Sequence, residues 1–423
     1  MNASLKLFAL AAALAIVGCN AANSPNMSTP GAPSLSGPSA SAHFVPEWQA
    51  KHQARRACKP LAGGAECHVL LQTGVKPDCS PSGGSCGWRP IDLQTRYNLA
   101  GSLKNAKGTI VALIELGDLA SAATDLATYR TTFGLGKAKF KKFNQYGEQS
   151  DYPESCQDFG WCLETDLDIQ MVSASCPKCT IYLIEGGNCS GVVCGLEGAE
   201  STAVTLGAKI LSNSWGCSSS NYGENCGDSN FPNYFNSPGV AYVASSGDSG
   251  YPEIEWPAAL ANVLAVGGTQ LAESSGSKYS ETVWDGAGAA CATTTTKPSW
   301  QHDPDCSGRT IADISAEAGC SPGVAEYDTD YGGWTGVCGT SVAAPLTAGI
   351  VALAGNESSL TGGKSFWQLS TKKHKTELNV ITSGSDGNCD NYICQAGLSK
   401  KDGGYKTYSG PAGWGTPNGI TAY

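Results

Sequence analysis

Histidine is scarce in this sequence, at 5 of 423 residues, and charged residues make up only 15%. The charges sum to −10, so there is no excess of Lys and Arg to contact phosphate, and nucleic acid is excluded as a partner. The apolar run 7–17 has 11 residues, roughly half of what a bilayer span needs. The histidines are also poorly placed for chemistry. His43 and His52 lie in the N-terminal tether region, His68 adjoins Cys67, His302 sits in a polar loop, and His374 lies among lysines. Each reads as a solvated or packing side chain rather than a general base. Any hydrolytic chemistry must therefore find its base elsewhere. Glycine (53) and cysteine (19) are abundant, and that many cysteines point to an oxidising compartment.

The N-terminus accounts for the odd cysteine. Residues 1–6 give a short basic start and 7–17 the apolar core of a signal peptide. The string Ile16-Val17-Gly18-Cys19 resembles a bacterial lipobox, in which Cys19 becomes the lipid-bearing first residue. Ordinary cleavage after Ala21 is the rival. Setting Cys19 aside leaves 18 cysteines, an even set for disulfides, which favours the lipoprotein. The expected organisation is a lipoprotein-type signal peptide over 1–18, a flexible Ser/Pro/Gly tether over 19–44, a short disulfide-stapled segment over 45–87, and one domain over 88–423. The protein is expected to be exported, anchored at the periplasm or cell surface through Cys19 and otherwise free of the membrane, or secreted.

Apolar runs at 108–117, 179–184, 209–212, 240–245 and 263–266 alternate with helical patterns at 122–133, 163–174 and 192–206. Strands buried on both faces and separated by helices predict an α/β fold with a mainly parallel central sheet covered on both sides. There is no internal repeat.

Three stretches bear chemistry. In Cys338-Gly339-Thr340-Ser341-Val342-Ala343-Ala344-Pro345, Ser341 opens a small-residue helix that continues over 346–354. That reads as a helix cap or as a nucleophile with free backbone N–H groups beside it. In the helix over 163–174, Glu164 and Asp168 stand four apart and share a face, so close carboxyls there would share a proton. They read as acids suited to a helix N-terminus or as a base and its partner. Asp166 and Asp118 read as solvated or capping. The third stretch, Ser245-Ser246-Gly247-Asp248-Ser249-Gly250, ends an apolar strand, the edge at which parallel sheets collect active sites. Asp248 is a loop residue of a Gly-rich turn or, when protonated, an oxyanion donor. Ser249 sits in G-D-S-G, the nucleophile string of chymotrypsin-like proteases, but that chemistry needs a histidine and an all-β double barrel. Subtilisin chemistry would need a histidine beside an early Gly-Thr pair, and there is none. Neither Ser341 nor Ser249 lies in the G-x-S-x-G elbow of a lipase.

Together, E-x-D-L-D over 164–168, S-S-G-D-S-G over 245–250 and G-T-S-x-A-A-P over 339–345 resemble the sedolisin family of serine-carboxyl peptidases. The strings L-S-N-S-W-G over 211–216, A-V-G-G-T over 265–269, N-V-I-T-S-G over 379–384 and G-W-G-T-P-N-G over 413–419 match as well, so the resemblance spans about residues 88–423. It implies a subtilisin-like three-layer fold and peptide-bond hydrolysis through an acyl-enzyme, most active in acid. Ser341 would be the nucleophile, Glu164 the base, Asp168 its partner and Asp248 the oxyanion donor. Protein or peptide substrates and a monomer are expected. The rival is a catalytically silent surface protein that binds peptide or polysaccharide on the same fold, which would have no use for three acids and a serine in register.

Two departures from the family stand out. Residues 45–87 are too short for its large folded propeptide. Its calcium site also places aspartates where this chain has Asn379 and Lys406, so no bound calcium, and no cofactor, is expected. Asp402 or Asp386 would be the substitutes. The 18 remaining cysteines fall into nine neighbouring pairs: Cys58–Cys67, Cys79–Cys86, Cys156–Cys162, Cys176–Cys179, Cys189–Cys194, Cys217–Cys226, Cys291–Cys306, Cys320–Cys338 and Cys389–Cys394. Two of these would brace Glu164 and Ser341.

Overall fold

The computed structural model describes residues 44–59, 65–76, 78–187, 194–218, 224–274 and 278–423. The signal peptide, Cys19 and nearly all of the expected tether lie outside them. Residues 44–87 contribute three short strands, β1 (Ala54–Arg56), β2 (Glu66–Cys67) and β3 (Leu70–Gln72). The chain continues with β4 (Ile110–Leu116), α1 (Ala122–Thr132), β5 (Lys139–Asn144), α2 (Cys162–Ser175), β6 (Thr180–Gly186), α3 (Cys194–Thr205) and β7 (Ile210–Asn213). Next come β8 (Trp215–Ser218), β9 (Ala241–Ser245), β10 (Glu255–Trp256), β11 (Val263–Ser274), β12 (Lys278–Val283) and the pair β13 (Ala290–Thr296) and β14 (Gly308–Ile311). Then follow β15 (Ile314–Glu317), β16 (Val324–Asp328), β17 (Gly333–Cys338) and α4 (Thr340–Ala354).

The central sheet runs β12-β11-β9-β7-β4-β6-β5, with β15 beside β11, and all its pairings are parallel except β11 with β12. This is the α/β architecture with a mainly parallel sheet expected from the apolar runs, and it agrees with the subtilisin-like fold that the resemblance implied. Residues 111–116 of β4 are buried without alternation, as a strand covered on both faces must be. β11 outruns its apolar core. It stays buried through Thr269, where antiparallel pairing with β12 begins, and is exposed from Ala272 to its end.

Helices α2 and α4 pack on each other and, with β4, β7, β9 and β15, form the core behind the catalytic motifs. Their close approach depends on small residues: a Cβ on Gly349 would lie 2.0 Å from Ser175 Oγ. All 14 residues of α2 are buried, polar ones included. Asp166, read from sequence as solvated or capping, is therefore fully enclosed. The antiparallel sheet β1-β3-β17-β16 covers that side of the helix, and its Tyr327 peptide exchanges hydrogen bonds with Gln170 of α2.

Eight of the nine neighbouring cysteine pairs are bonded, including Cys156–Cys162 immediately before Glu164 and Cys320–Cys338 before Ser341. The remaining pair, Cys189–Cys194, includes Cys189, which lies outside the described residues.

Candidate active site

Glycine at position 339 starts the site. Its φ of +112° is one a side-chain-bearing residue rarely adopts, and a Cβ there would lie 2.6 Å from Asp248 Oδ2. The chain turns there from β17 into α4 and presents Ser341 on the first helical turn. Pro345 has no N–H to return to the Ser341 carbonyl, so the helix is opened where the serine sits.

Ser341 Oγ donates to Glu164 Oε2 at 2.7 Å and lies 3.2 Å from the Ser214 carbonyl. One turn along α2, Asp168 Oδ1 accepts from Ser214 Oγ at 2.7 Å. Both carboxyls are wholly buried. Burial, followed by the charge of Asp168, holds Glu164 well above the usual carboxylate range, and the Ser341 hydrogen bond opposes this. Burial raises Asp168 to about 7 against hydrogen bonds from Ser214, Glu115 and Glu164. Glu115, which sequence reading passed over, extends this line. It is buried in β4, its Oε2 accepts from Trp161 Nε1 at 2.8 Å, and it comes within hydrogen-bonding reach of Asp168 when one of the two carboxyls is protonated. Its signal was a glutamate inside an otherwise apolar strand, which is costly unless a partner awaits it.

Asp248 reaches the same place from the end of β9. Its Oδ1 accepts from Thr340 N at 2.8 Å and Thr340 Oγ1 at 2.9 Å, leaving Oδ2 facing Gly339. Burial lifts its carboxyl to about 8, so it keeps its proton through the acid range. Thus the structure brings Ser341, Glu164, Asp168 and Asp248 together. Ser249 stands apart, exposed, with its Oγ taken by Arg56 at 2.8 Å.

The cleft has an occupant from the chain itself. β2 pairs antiparallel with β8, Glu66 opposite Gly216 and Cys67 opposite Trp215, and His68 N donates to the Ser214 carbonyl at 3.1 Å. The His68 carbonyl oxygen lies 2.1 Å from the point above Gly339 that is 2.6 Å from Asp248 Oδ2. Beyond it, Leu70 and Leu71 pair with Cys338 and Val337 of β17. The backbone of His68 thereby lies beside Gly339, between β8 and β17. The His68 ring bonds Ser245 Oγ at 2.7 Å, and burial, with the charge of Arg56, lowers it to about 3. It is a neutral packing histidine, as its type was read from sequence.

The C-terminal loop does not fit a calcium ion at the family's positions. Asn379 Nδ2 donates to the Pro417 carbonyl at 2.5 Å, and the Lys406 ammonium lies over the rings of Tyr405 and Trp414. An amide donor and a cation are the wrong groups to face a hard divalent ion.

Because Asp168 and Asp248 are buried and titrate at about 7 and about 8, the folded chain holds protons that the unfolded chain releases near ~4. Their contribution is full below ~4 and is lost as pH rises through 7 to 8. We predict a thermal midpoint on the order of 10 °C higher at about pH 4 than at about pH 8. Calorimetry across that range checks it, and a midpoint that rises towards neutrality would contradict the assignment.

The model of the subtilase family matches residues 160–415. Among curated proteins, the chain is similar to sedolisin of Pseudomonas sp. (strain 101), 26% identical over 396 residues, covering 85% of this chain and 64% of that one. It is also similar to kumamolisin of Bacillus sp. (strain MN-32), 28% identical over 340 residues, covering 74% of this chain and 59% of the relative. The chain thus spans less than two thirds of the length of both. Among solved structures it resembles Pseudomonas sedolisin, a serine-carboxyl proteinase complexed with two molecules of pseudo-iodotyrostatin. The TM-score is 0.66 at 26% identity, over 78% of this chain and 95% of that one.

Proposed function

Because the chain belongs to the subtilase family and, within it, to the sedolisins, we propose that it is a serine-carboxyl endopeptidase that cleaves proteins or peptides in acid. The observation that supports this most is the 2.7 Å contact of Ser341 Oγ with Glu164, next to an Asp248 carboxyl that accepts from the adjoining Thr340 N–H at 2.8 Å. Ser341 Oγ attacks the scissile carbonyl carbon and passes its proton to Glu164. Asp168, which accepts from Ser214 Oγ, orients Glu164, and the reactive form is the one in which the pair's shared proton sits on Asp168 and Glu164 is ionised. Protonated Asp248 donates from Oδ2 to the oxyanion. Glu164 returns the proton to the leaving amine, and water releases the acyl group by the same route. No step calls for a metal or cofactor, and we place no calcium at Asn379 and Lys406. Among the described residues no helix is long and apolar enough to cross a membrane. Export, with attachment only through a lipid on Cys19, and a monomeric state complete the proposal.

The test is the pH–rate profile on a denatured protein. The alkaline limb should follow Asp248. Asp248→Asn keeps a donor that does not titrate, so that limb should vanish, at about a 10- to 1,000-fold cost in rate. An alkaline limb unchanged in Asp248→Asn overturns the donor role. Hydrolysis absent at every pH, with the fold intact, would favour the silent binding protein.

A further inference from the structure

We propose that Asp125, Asp166 and Asp328 form a site for one hard divalent cation of the calcium class, on the side of α2 away from the serine. One carboxylate oxygen from each lies within 4.8 Å of the other two. Three atoms no farther apart than that lie within about 2.8 Å of a common centre, close to a calcium–oxygen distance of about 2.3–2.6 Å, so a small inward shift lets a single ion touch all three. Asp125 comes from α1, Asp166 from α2 and Asp328 from β16, and all three are buried.

The cluster alone would say little; the unclaimed oxygens say more. Asp125 is anchored, accepting from Thr329 N at 3.2 Å and Thr329 Oγ1 at 2.5 Å. Asp328 is anchored by one oxygen, which accepts from Asp330 N at 2.6 Å and Tyr331 N at 3.1 Å. The turn after β16 therefore fixes two carboxylates and aims them at the third. No N–H or hydroxyl donor reaches either oxygen of fully buried Asp166, nor Asp328 Oδ2, nor either oxygen of Glu326, also fully buried on the same strand. None of the four acids makes an ion pair among the described residues.

Buried carboxylates without a counter-charge are among the most expensive groups a protein can hold. The rival way to neutralise them is a proton, since Asp166 and Asp125 lie within hydrogen-bonding reach of each other if one is protonated. A proton joins only two oxygens and leaves Asp328 Oδ2, Glu326 and the second Asp166 oxygen as they were. A cation takes an oxygen from three elements at once. It also ties α1 and β16 to α2 between the positions of Glu164 and Asp168, so it would act as a positioning element for the base.

Binding of the ion, independent of activity, is the test. The full chain is stripped with a chelator, desalted and titrated with calcium chloride alone by calorimetry near ~pH 6.5. We expect one ion per chain and a thermal midpoint that rises with calcium. Asp166→Asn, nearly isosteric, should weaken uptake by about 100-fold or more, given how calcium affinity depends on ligand charge. Asp402→Asn, in the C-terminal loop, should leave it unchanged. The proposal fails if the wild-type chain takes up no calcium and its midpoint answers only to pH, which is the shared-proton outcome. It fails equally if uptake survives Asp166→Asn or is lost in Asp402→Asn. Should Asp166→Asn not fold, calcium uptake by the wild type and by Asp328→Asn decides the matter.

Discussion

Replacing Ser341 by alanine should lower kcat/KM on a peptide substrate by about 10,000-fold or more. Its thermal midpoint should stay close to the wild type, because the lost group is one hydroxyl. Ser341 Oγ makes its short contact with Glu164 and its longer one with a carbonyl, so the variant removes no cap and no ladder bond. Ser249→Ala should keep most of the activity. Ser249 Oγ bonds Arg56 on the exposed side of the loop, and the carboxyl beside it, Glu253, accepts from the Ser249 backbone N–H at 2.7 Å. Glu164→Gln should approach the Ser341→Ala loss, since glutamine accepts the hydrogen bond without accepting a proton. Initial rates of purified variants on one chromogenic peptide, with the N-terminal segment released, make the comparison. Near-normal hydrolysis by Ser341→Ala, or a dead Ser249→Ala, would overturn the assignment.

The elements that hold these groups were legible because they are long and locally patterned. The apolar run that became β4 and the helix that became α2 begin and end within about two residues of where they were read, and such boundaries are rarely sharper. Of the acids on one face of α2, Glu164 accepts from Ser341 and Asp168, one turn on, accepts from Ser214. What sequence could not give was the set of groups assembled from far apart. Asp166 reads as a solvated helix residue until β16 and β17, short antiparallel strands with no strong apolar period, are laid over that face. Glu115 looks like an interruption of a strand until Trp161 and Asp168 are brought to it. β2 has only two residues, and no two-residue strand carries a periodic signal at all. Its meaning lies wholly in its pairing with β8.

That pairing gives a second large effect: the chain in this conformation should be latent. Ser341, Glu164, Asp168 and Asp248 are all fully buried, and residues 66–72 lie where an extended substrate would add a strand to β8. The segment is held on both sides of His68. The Cys58–Cys67 bridge and the Arg56–Glu66 ion pair clasp one side, and β3 pairs with β17 on the other. Trp48 Nε1 adds a bond to the Asp248 carbonyl at 2.9 Å. A tethered strand acts at an effective concentration of about millimolar or more, while substrates work at about micromolar to millimolar KM. The intramolecular strand therefore wins, and cutting between His68 and Val69 need not free the site while both ends stay fastened. Removing the clasp with Cys58→Ser and Cys67→Ser should raise kcat/KM by about 10-fold or more. Arg56→Ala, which leaves every bridge in place, should raise it in the same direction by less. In acid, N-terminal sequencing should find a new end at Val69 in the wild type and none in Ser341→Ala. Full activity in the wild type without a lag, with residues 44–72 still attached and no gain in either variant, would mean that the strand leaves the cleft unaided. If the new end at Val69 appears first and activity still awaits loss of the bridge, the clasp rather than the peptide bond sets the latency. The structure predicts that order, because nothing fastened at both ends diffuses away when it is cut in the middle.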